Sequence, residues 1–201
     1  MEFNQEKTHI IFYDNEHINI INIQPYQLVC TIKISSKIKL SRMFYKSNLI
    51  FFVGYDQINY ENYENSYGSN ILNIYDDARN TIINKVQINT EIDDFQIVTN
   101  YISILSGKYI YVYTYENLEN YIFKFETSNK NFYLTNNILI YAEKNKSDIE
   151  NIKIVKLSNN NIIEFKAHEN KIKFMTINND ETIMATASER GTIIRLFDVN
   201  N

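Results

Sequence analysis

The stretch that decides the fold is AHENKIKFMTINNDETIMATASERGTIIRLFD, residues 167–198. It opens with an Ala-His pair, and its apolar strand patterns are separated by two turn signals, Asn178-Asn179-Asp180-Glu181 and Ser188-Glu189-Arg190-Gly191. Phe197-Asp198 closes the stretch. This order of strands and turns predicts a small antiparallel sheet made of consecutive hairpins.

A unit of this kind resembles a WD-type repeat, with Phe197-Asp198 in place of the usual Trp-Asp, and such a repeat forms one blade of a β-propeller. Strand ends of similar appearance recur at Asn22, Asp76, Thr114, Lys156 and Asp198, with spacings of 54, 38, 42 and 42 residues. A period of about 40 residues is typical of a propeller. The predicted fold class is therefore an all-β, WD-repeat β-propeller that is incomplete, with about four blades and most of a fifth.

The spacing predicts blades at about residues 3–36, 37–85, 86–127, 128–166 and, in part, 167–201. A polar loop is predicted at 55–70 inside the second blade, and a second loop at Glu143–Glu150, because both lack apolar alternation. Short runs of Ile, Val, Phe and Tyr predict the strands. These runs are Thr8–Tyr13, His17–Ile23, Leu28–Ile34, Leu49–Val53, Ile71–Tyr75, Phe95–Thr99, Tyr101–Leu105, Tyr109–Thr114, Tyr121–Phe125, Ile138–Tyr141, Ile152–Leu157 and Ile162–Phe165.

The residues from Ala185 to Asp198, ATASERGTIIRLFD, are similar to the fifth-blade motif of the PROPPINs, autophagy-related seven-bladed propellers that bind phosphoinositides. Asn70–Asp77 resembles the second-blade strand of that family, Ile110–Tyr115 the third, and Phe3–Asn22 the first. The resemblance thus extends over essentially the whole chain. In the family a Phe or Leu followed by Arg-Arg-Gly comes shortly after the motif, and this sequence ends before that signature.

The resemblance implies a phosphoinositide site on the side of the propeller, between blades five and six. Ser and Thr hydroxyls can donate hydrogen bonds to phosphate oxygens, glycine lets the backbone approach closely, and arginine adds a charge-assisted contact. A histidine adds a proton at acidic pH. The matching residues are His168, Thr186, Ser188, Gly191, Thr192 and Arg195.

For some of these residues and their neighbours, a purely structural role is an open alternative to lipid binding. His168 and Asp198 suit a buried hydrogen-bond network that holds a blade together, Thr186 suits either role, and Arg190 suits an exposed turn. Without the Arg-Arg-Gly signature, Arg195 supplies only part of a site, and an exposed single ion pair contributes about 0–1 kcal/mol. The chain alone is therefore expected to show no measurable binding of phosphatidylinositol 3-phosphate.

Composition limits the function classes. The chain has 201 residues, 44% of them hydrophobic and 22% charged, and its net charge of −4 argues against a general basic surface for nucleic acid. A single cysteine, Cys30, excludes an internal disulfide and, in its strand context, suggests a small buried hydrophobe. The N-terminus lacks signal-peptide features, and the longest apolar run, Leu49–Val53, is too short to span a bilayer. We expect a cytoplasmic protein, peripheral on phosphoinositide-containing preautophagosomal or endosomal and vacuolar membranes.

The sequence is rich in isoleucine and asparagine, with 34 and 30 residues, and holds only 4 glycines. AT-rich codons explain this bias, to which no function is attached. Asparagine accepts a positive φ better than other residues with a side chain, so turns are expected at Asn and Asp. The fifth blade is expected to expose an apolar face and an unpaired strand edge, which predicts a marginal, aggregation-prone chain when no other polypeptide covers them.

Catalytic patterns are missing from the sequence, which predicts that the protein is not an enzyme and uses no cofactor. His9 and His17 lie near no thiol or carboxylate cluster, so no metal site is expected.

The predicted partners are membranes with phosphatidylinositol 3-phosphate and 3,5-bisphosphate, bound by the complete protein, and autophagy proteins. The family recruits partners between blades two and three, but Asp93–Tyr101 is acidic and aromatic here, so no partner identity transfers. The alternative function is a WD-repeat protein-interaction scaffold that binds no lipid.

Overall fold

The computed structural model describes residues 1–14, 16–34, 36–55, 67–145 and 149–199. These residues form 19 strands in five antiparallel sheets, and within every sheet the strands are neighbours in sequence order. Among them, no helix has the length and apolar character needed to cross a membrane. Consecutive four-stranded meanders of this kind are the blades of a β-propeller.

The chain divides into two compact units, Met1–Ile92 and Asp93–Asn201. The first unit holds two four-stranded sheets, with the strand orders β1-β2-β3-β4 and β5-β6-β7-β8. Their strands are β1 Glu2–Phe3, β2 His9–Tyr13, β3 His17–Asn22, β4 Gln27–Lys33, β5 Ile38–Met43, β6 Leu49–Gly54, β7 Ile71–Asp76 and β8 Thr81–Gln87.

Alternating apolar residues build the core of the first unit. In β3, Ile18 and Ile20 are buried while the residues between them are half-buried, as expected for a pleated strand with one face inward. Ile11, Ile50 and Phe52 join them in one cluster. Cys30 is half-buried against this cluster, and burial, followed by the charge of Asp77, raises the pKa of its thiol to about 11. The thiol therefore stays protonated at neutral pH and acts as a packing residue.

The second unit holds the remaining three sheets, with the orders β9-β10-β11-β12, β13-β14-β15-β16 and β17-β18-β19. Their strands are β9 Asp94–Ile97, β10 Tyr101–Ser106, β11 Tyr109–Thr114, β12 Phe123–Glu126, β13 Phe132–Leu134, β14 Ile138–Lys144, β15 Glu150–Lys156, β16 Asn161–Phe165, β17 Ile172–Ile177, β18 Ile183–Ser188 and β19 Ile194–Asp198. The fourth and fifth sheets share a core that includes Ile140, Ile154, Met175 and Met184.

The structure departs from the predicted loop at Glu143–Glu150. β14 and β15 continue as a hairpin through the pairs Glu143–Asn151 and Lys144–Glu150, because ladder hydrogen bonds carry the strands past the last apolar residue. Residues 146–148, at the tip, lie outside the described residues, as do residues 56–66 of the loop predicted at 55–70.

The expected use of asparagine in turns is met in part, since Asn80 and Asn160 are two of the five described non-glycine residues with a positive φ, the others being Lys7, Tyr45 and Glu181. Asn80 and Asn160 have φ values of 51° and 54°, in the left-handed region. In the turn at 178–181, however, Glu181 has the positive φ, and the Asn178 side chain accepts hydrogen bonds from the N–H groups of Thr182 and Ile183. Asparagine thus stabilises that turn through its amide oxygen, as in an Asx turn.

The fifth sheet has three strands among the described residues, with β19 at its edge. One of its faces is packed: Phe197, in the place of the usual Trp, lies 4.8 Å from Phe165, measured between ring centroids. The other face carries Phe174, Ile194 and Leu196, which are 65%, 73% and 68% exposed. The expected exposure of apolar residues on this sheet is therefore present in the structure.

A buried carboxylate joins three segments of the second unit. Glu150, at the start of β15, accepts hydrogen bonds from the Ser128 hydroxyl (3.1 Å), the Asn129 amide (3.2 Å) and the backbone N–H of Ile172 (2.7 Å). Only 6% of Glu150 is exposed, so these bonds replace the water that a carboxylate otherwise needs. Glu150 thereby fixes the segment before β13 and the start of β17 against β15.

We expect Glu150→Gln to lower the free energy of unfolding by about 1–3 kcal/mol, because the neutral amide places a donor against groups that donate to the carboxylate. Urea denaturation followed by circular dichroism measures the change. Glu164→Gln is the matched control, since Glu164 is partly exposed and accepts from the Asn151 amide. Equal losses in the two variants would show that Glu150 has no special structural role.

We also expect the 201-residue chain to self-associate, and Ile194→Lys with Leu196→Lys to reduce this association, because the two lysines place charge on the exposed apolar face. Light scattering after size exclusion measures the mass. Ile83→Lys with Ile162→Lys is the control, since these residues are 42% and 43% exposed on four-stranded sheets. A wild-type chain that elutes as a stable monomer contradicts the prediction.

Candidate anion-binding site

The ladder of β18 and β19 sets the geometry of the candidate site. Thr186 pairs with Arg195, and Met184 pairs with Phe197 two residues away, so all four side chains belong to one face of the sheet. Ser188 follows on the same face of β18 and is 8% exposed. Alternation along two paired strands thus places two hydroxyl-bearing residues and an arginine together.

A buried hydrogen bond connects His168 to this face. Nε2 of His168 lies 2.9 Å from Oγ1 of Thr186, and the two residues are 5% and 1% exposed. His168 belongs to the segment between β16 and β17, so the bond fixes that segment to the centre of the fifth sheet. This hydrogen bond supports the structural role that the sequence suggested for His168, and it also engages the hydroxyl of Thr186.

Arg195 reaches the same segment from the edge strand. Its Nη1 donates a hydrogen bond to the backbone carbonyl of Ala167, at 2.5 Å. Arg195 is otherwise exposed, and a guanidinium has five N–H donors, so one bond leaves most of them available. The carbonyl of Ala167, which sequence patterns did not indicate, therefore positions the arginine without neutralising it.

Gly191 and Thr192 lie apart from this cluster, in the exposed turn after β18. The Gly191 N–H donates to the Ser188 carbonyl at 2.9 Å, and Gly191 has a φ of 66°, which glycine adopts without strain. No side-chain contact joins Thr192 to His168, Thr186 or Arg195 within the part of the chain that the structure describes. Thr186 thus contacts His168 and pairs with Arg195, and Ser188 is adjacent on the same face. The other two predicted residues, Gly191 and Thr192, belong to the nearby turn.

The charges around the cluster are mixed. Burial, and then the charge of Arg195, lowers the pKa of His168, so this imidazole is neutral near pH 7 and adds no positive charge. The Lys166 ammonium, through its hydrogen bond and its charge, and then Arg195 lower the pKa of the exposed Glu169 carboxyl. Glu169 therefore competes with any bound anion for the positive charge of Arg195 and Lys166.

The packing of the fifth sheet gives the location of the cluster. Met184 and Phe197, on the same face as Thr186 and Arg195, pack into the core shared with the fourth sheet. The cluster is therefore on the side of the fifth sheet that faces β13–β16, and the site between the fifth blade and a sixth stays a prediction. Strand alternation dictates this orientation once the register is known, but sequence alone does not give the register.

Other candidate residues of the sequence have structural partners. Asp93 accepts a hydrogen bond from the Gly107 N–H at 2.8 Å and pairs with Lys130, so it stabilises a turn. His17 lies 3.2 Å from Asp14 across a turn, and His9 contacts Thr8. Among the described residues, no group of three or more His, Cys, Asp or Glu side chains is arranged to hold a metal ion.

The lowered pKa of His168 predicts a pH-dependent stability. The unfolded chain takes up a proton at the ordinary pKa of 6.5, whereas the folded chain resists protonation to lower pH. Protonation therefore favours unfolding, and stability falls as the pH decreases through about 6.5 towards the folded-state pKa. Chemical denaturation between about pH 7 and pH 5 should show this slope, and His168→Gln should flatten it. A profile that His9→Gln flattens equally would contradict the assignment to His168.

In sequence, the chain is similar to autophagy-related proteins. No protein-family model matches it. It is 24% identical over 206 residues to SVP1-like protein 2 of Kluyveromyces lactis, covering 100% of this chain and 56% of the relative. It is 26% identical over 208 residues to autophagy-related protein 18e of Arabidopsis thaliana, covering 98% of this chain and 52% of the relative. The chain thus spans about half the length of the curated relatives it matches.

The chain is also similar in fold to solved structures. The fold is similar to that of Kluyveromyces lactis Hsv2, with a TM-score of 0.85 and 23% identity, over 100% of this chain and 59% of that chain. It is also similar to KlAtg21 solved in complex with the coiled coil of AgAtg16, with a TM-score of 0.82 and 23% identity, over 98% of this chain and 64% of that chain. The fold is accordingly an incomplete, all-β propeller, and the comparisons confirm the resemblance to the PROPPINs that residues 185–198 indicated.

Proposed function

We propose that this chain forms part of a phosphoinositide-binding propeller that acts as an effector and scaffold in autophagy and membrane trafficking. The autophagy-related relatives support the general role. The observation that carries the lipid-binding proposal is the exposed Arg195 guanidinium, held by the Ala167 carbonyl on the same sheet face as Thr186 and Ser188.

The chemistry of this face suits a phosphomonoester. An arginine that is oriented by a backbone carbonyl keeps a planar pair of N–H donors for phosphate oxygens, and it loses less side-chain entropy on binding than a free arginine. Because the Thr186 hydroxyl already contacts His168 and Ser188 is only 8% exposed, both residues act mainly by positioning, and the contact with the phosphate falls to Arg195. A neutral His168 supplies no charge at pH 7.

The same contacts explain why the chain alone is a weak binder. One guanidinium opposed by the carboxylate of Glu169 provides a single charged contact in water, worth about 0–1 kcal/mol. Specific capture of a membrane requires further cations. We propose that the complete protein provides them, and that its targets are membranes with phosphatidylinositol 3-phosphate or 3,5-bisphosphate.

We infer that the protein works by binding rather than catalysis, and that it is peripheral on preautophagosomal or endosomal and vacuolar membranes from the cytoplasmic side. One structural neighbour, KlAtg21, was solved with a coiled coil of AgAtg16. By analogy, an autophagy protein is the proposed class of protein partner here, with its identity open.

A chimera tests the lipid-binding proposal. In the chimera, this chain replaces the region of Kluyveromyces lactis SVP1-like protein 2 to which it is similar. Capture is measured by flotation with vesicles that contain or lack phosphatidylinositol 3-phosphate. We expect specific capture of the chimera and none of the 201-residue chain. Arg195→Ala should reduce capture of the chimera about tenfold, because a charge-assisted hydrogen bond is lost.

Arg190→Ala is the matched control, because Arg190 is an exposed arginine in the turn between β18 and β19. Circular dichroism verifies that each variant remains folded. Equal capture of the Arg195→Ala and Arg190→Ala chimeras would refute a role of Arg195. Capture that is independent of the phosphoinositide, or absent, favours the alternative of a protein-interaction scaffold, for which the exposed apolar face of Phe174, Ile194 and Leu196 is the supporting observation.

A further inference from the structure

The second unit contains a cavity of about 760 Å³ that lies outside the six-residue cluster. Three parts of the chain line it: the turn Gly107–Lys108, the linker Thr127–Asn131 between β12 and β13, and the start of β17 at Lys171–Lys173 with Glu189 beside it. A cavity of this volume has the size of a small-molecule site.

The floor of the cavity is fixed by hydrogen bonds. The Thr127 hydroxyl lies 2.8 Å from the carbonyls of Asn129 and Ala142 and donates its one hydrogen between them. The Asn129 amide donates to Glu150 and to the Ile172 carbonyl, both at 3.2 Å. These hydrogen bonds connect the linker to β15 and to the start of β17, so the cavity is already formed before any ligand binds. Because the polar groups of the floor are hydrogen-bonded to one another, the donors available to a ligand are those of the rim.

The rim of the cavity is cationic, since four lysines line it against one carboxylate, Glu189. Lys108 is paired with Glu126 at 2.9 Å, and Lys130 is paired with Asp93. Lys171 and Lys173 are exposed, and neither ammonium group has an ion-pair partner in the described ranges. Two exposed lysines without an acidic partner among the described residues therefore line one cavity, on either side of Ile172.

We propose that this cavity binds a small anion with clustered phosphate groups, at a site separate from the one assigned to Arg195. Each phosphate carries about −1.5 to −2 charges, whereas a carboxylate carries one. A ligand must outcompete Glu189 and the acidic partners of Lys108 and Lys130, which favours high charge density over an acidic peptide. Lysine binds phosphate as a point charge with rotatable donors, as these exposed side chains can do.

Calorimetric titration of the 201-residue chain with inorganic tripolyphosphate tests the proposal. We expect binding that weakens as salt increases. Lys171→Ala with Lys173→Ala should raise the dissociation constant about tenfold or more, since two charge-assisted contacts are lost. Lys171→Arg with Lys173→Arg keeps both charges and should retain binding. Lys33→Ala with Lys37→Ala, which removes two exposed lysines of the first unit, is the control and should have no effect.

Further measurements distinguish a soluble phosphate ligand from a lipid headgroup, and the lysine cavity from the proposed lipid site at Arg195. Arg195→Ala should leave tripolyphosphate binding unchanged, and the double alanine variant should leave vesicle capture of the chimera unchanged, so this site and the proposed lipid site can fail independently. Loss of vesicle capture in the double variant assigns the cavity to a lipid headgroup rather than a soluble phosphate. Absence of tripolyphosphate binding, equal binding by the double alanine variant, or stronger binding of a hexaglutamate peptide overturns the proposal.

Discussion

The second unit depends on one electrostatic constraint, the need of the buried Glu150 carboxylate for hydrogen-bond donors. A charge taken out of water is stable only when its oxygens are satisfied, and Ser128, Asn129 and Ile172 satisfy them from two different segments. Both segments are consequently fixed relative to β15. One of them forms the linker of the lysine cavity, and the other starts the sheet that carries Arg195, so a single acidic side chain positions both candidate sites.

The strands that sequence predicted are those in which apolar residues are dense or strictly alternate. His17–Asn22, Leu49–Gly54 and Tyr109–Thr114 are examples, because burial of at least one face requires such residues there. β8 was not in the predicted set, since TIINKVQ is mostly exposed and half polar at the outer edge of its sheet. β1 and β13, with two and three residues, are too short to show a period. Pairing with a neighbouring strand makes these segments β, and pairing is not local information.

For the candidate site too, contacts between residues far apart in sequence could not be predicted. Sequence identified Thr186 and Arg195, and the ladder pairs them directly. It did not show that His168 occupies the Thr186 hydroxyl or that the Ala167 carbonyl holds Arg195, since these contacts cross 18 and 28 residues of chain. The lysine cavity gave no sequence signal, because its lysines come from separate segments of a chain in which lysine is common. Convergence in space is what distinguishes them from ordinary surface charges.

The left-handed turns at Asn80 and Asn160 have an effect on the denatured chain. An asparagine there samples fewer backbone states before folding than a glycine does, and its left-handed conformation is only mildly strained. Asparagine in place of glycine therefore narrows the range of backbone conformations of the denatured chain, and less entropy is lost at each of these turns. A chain of consecutive hairpins that has only 4 glycines thus loses less conformational entropy on folding at the turns where asparagine takes the left-handed conformation.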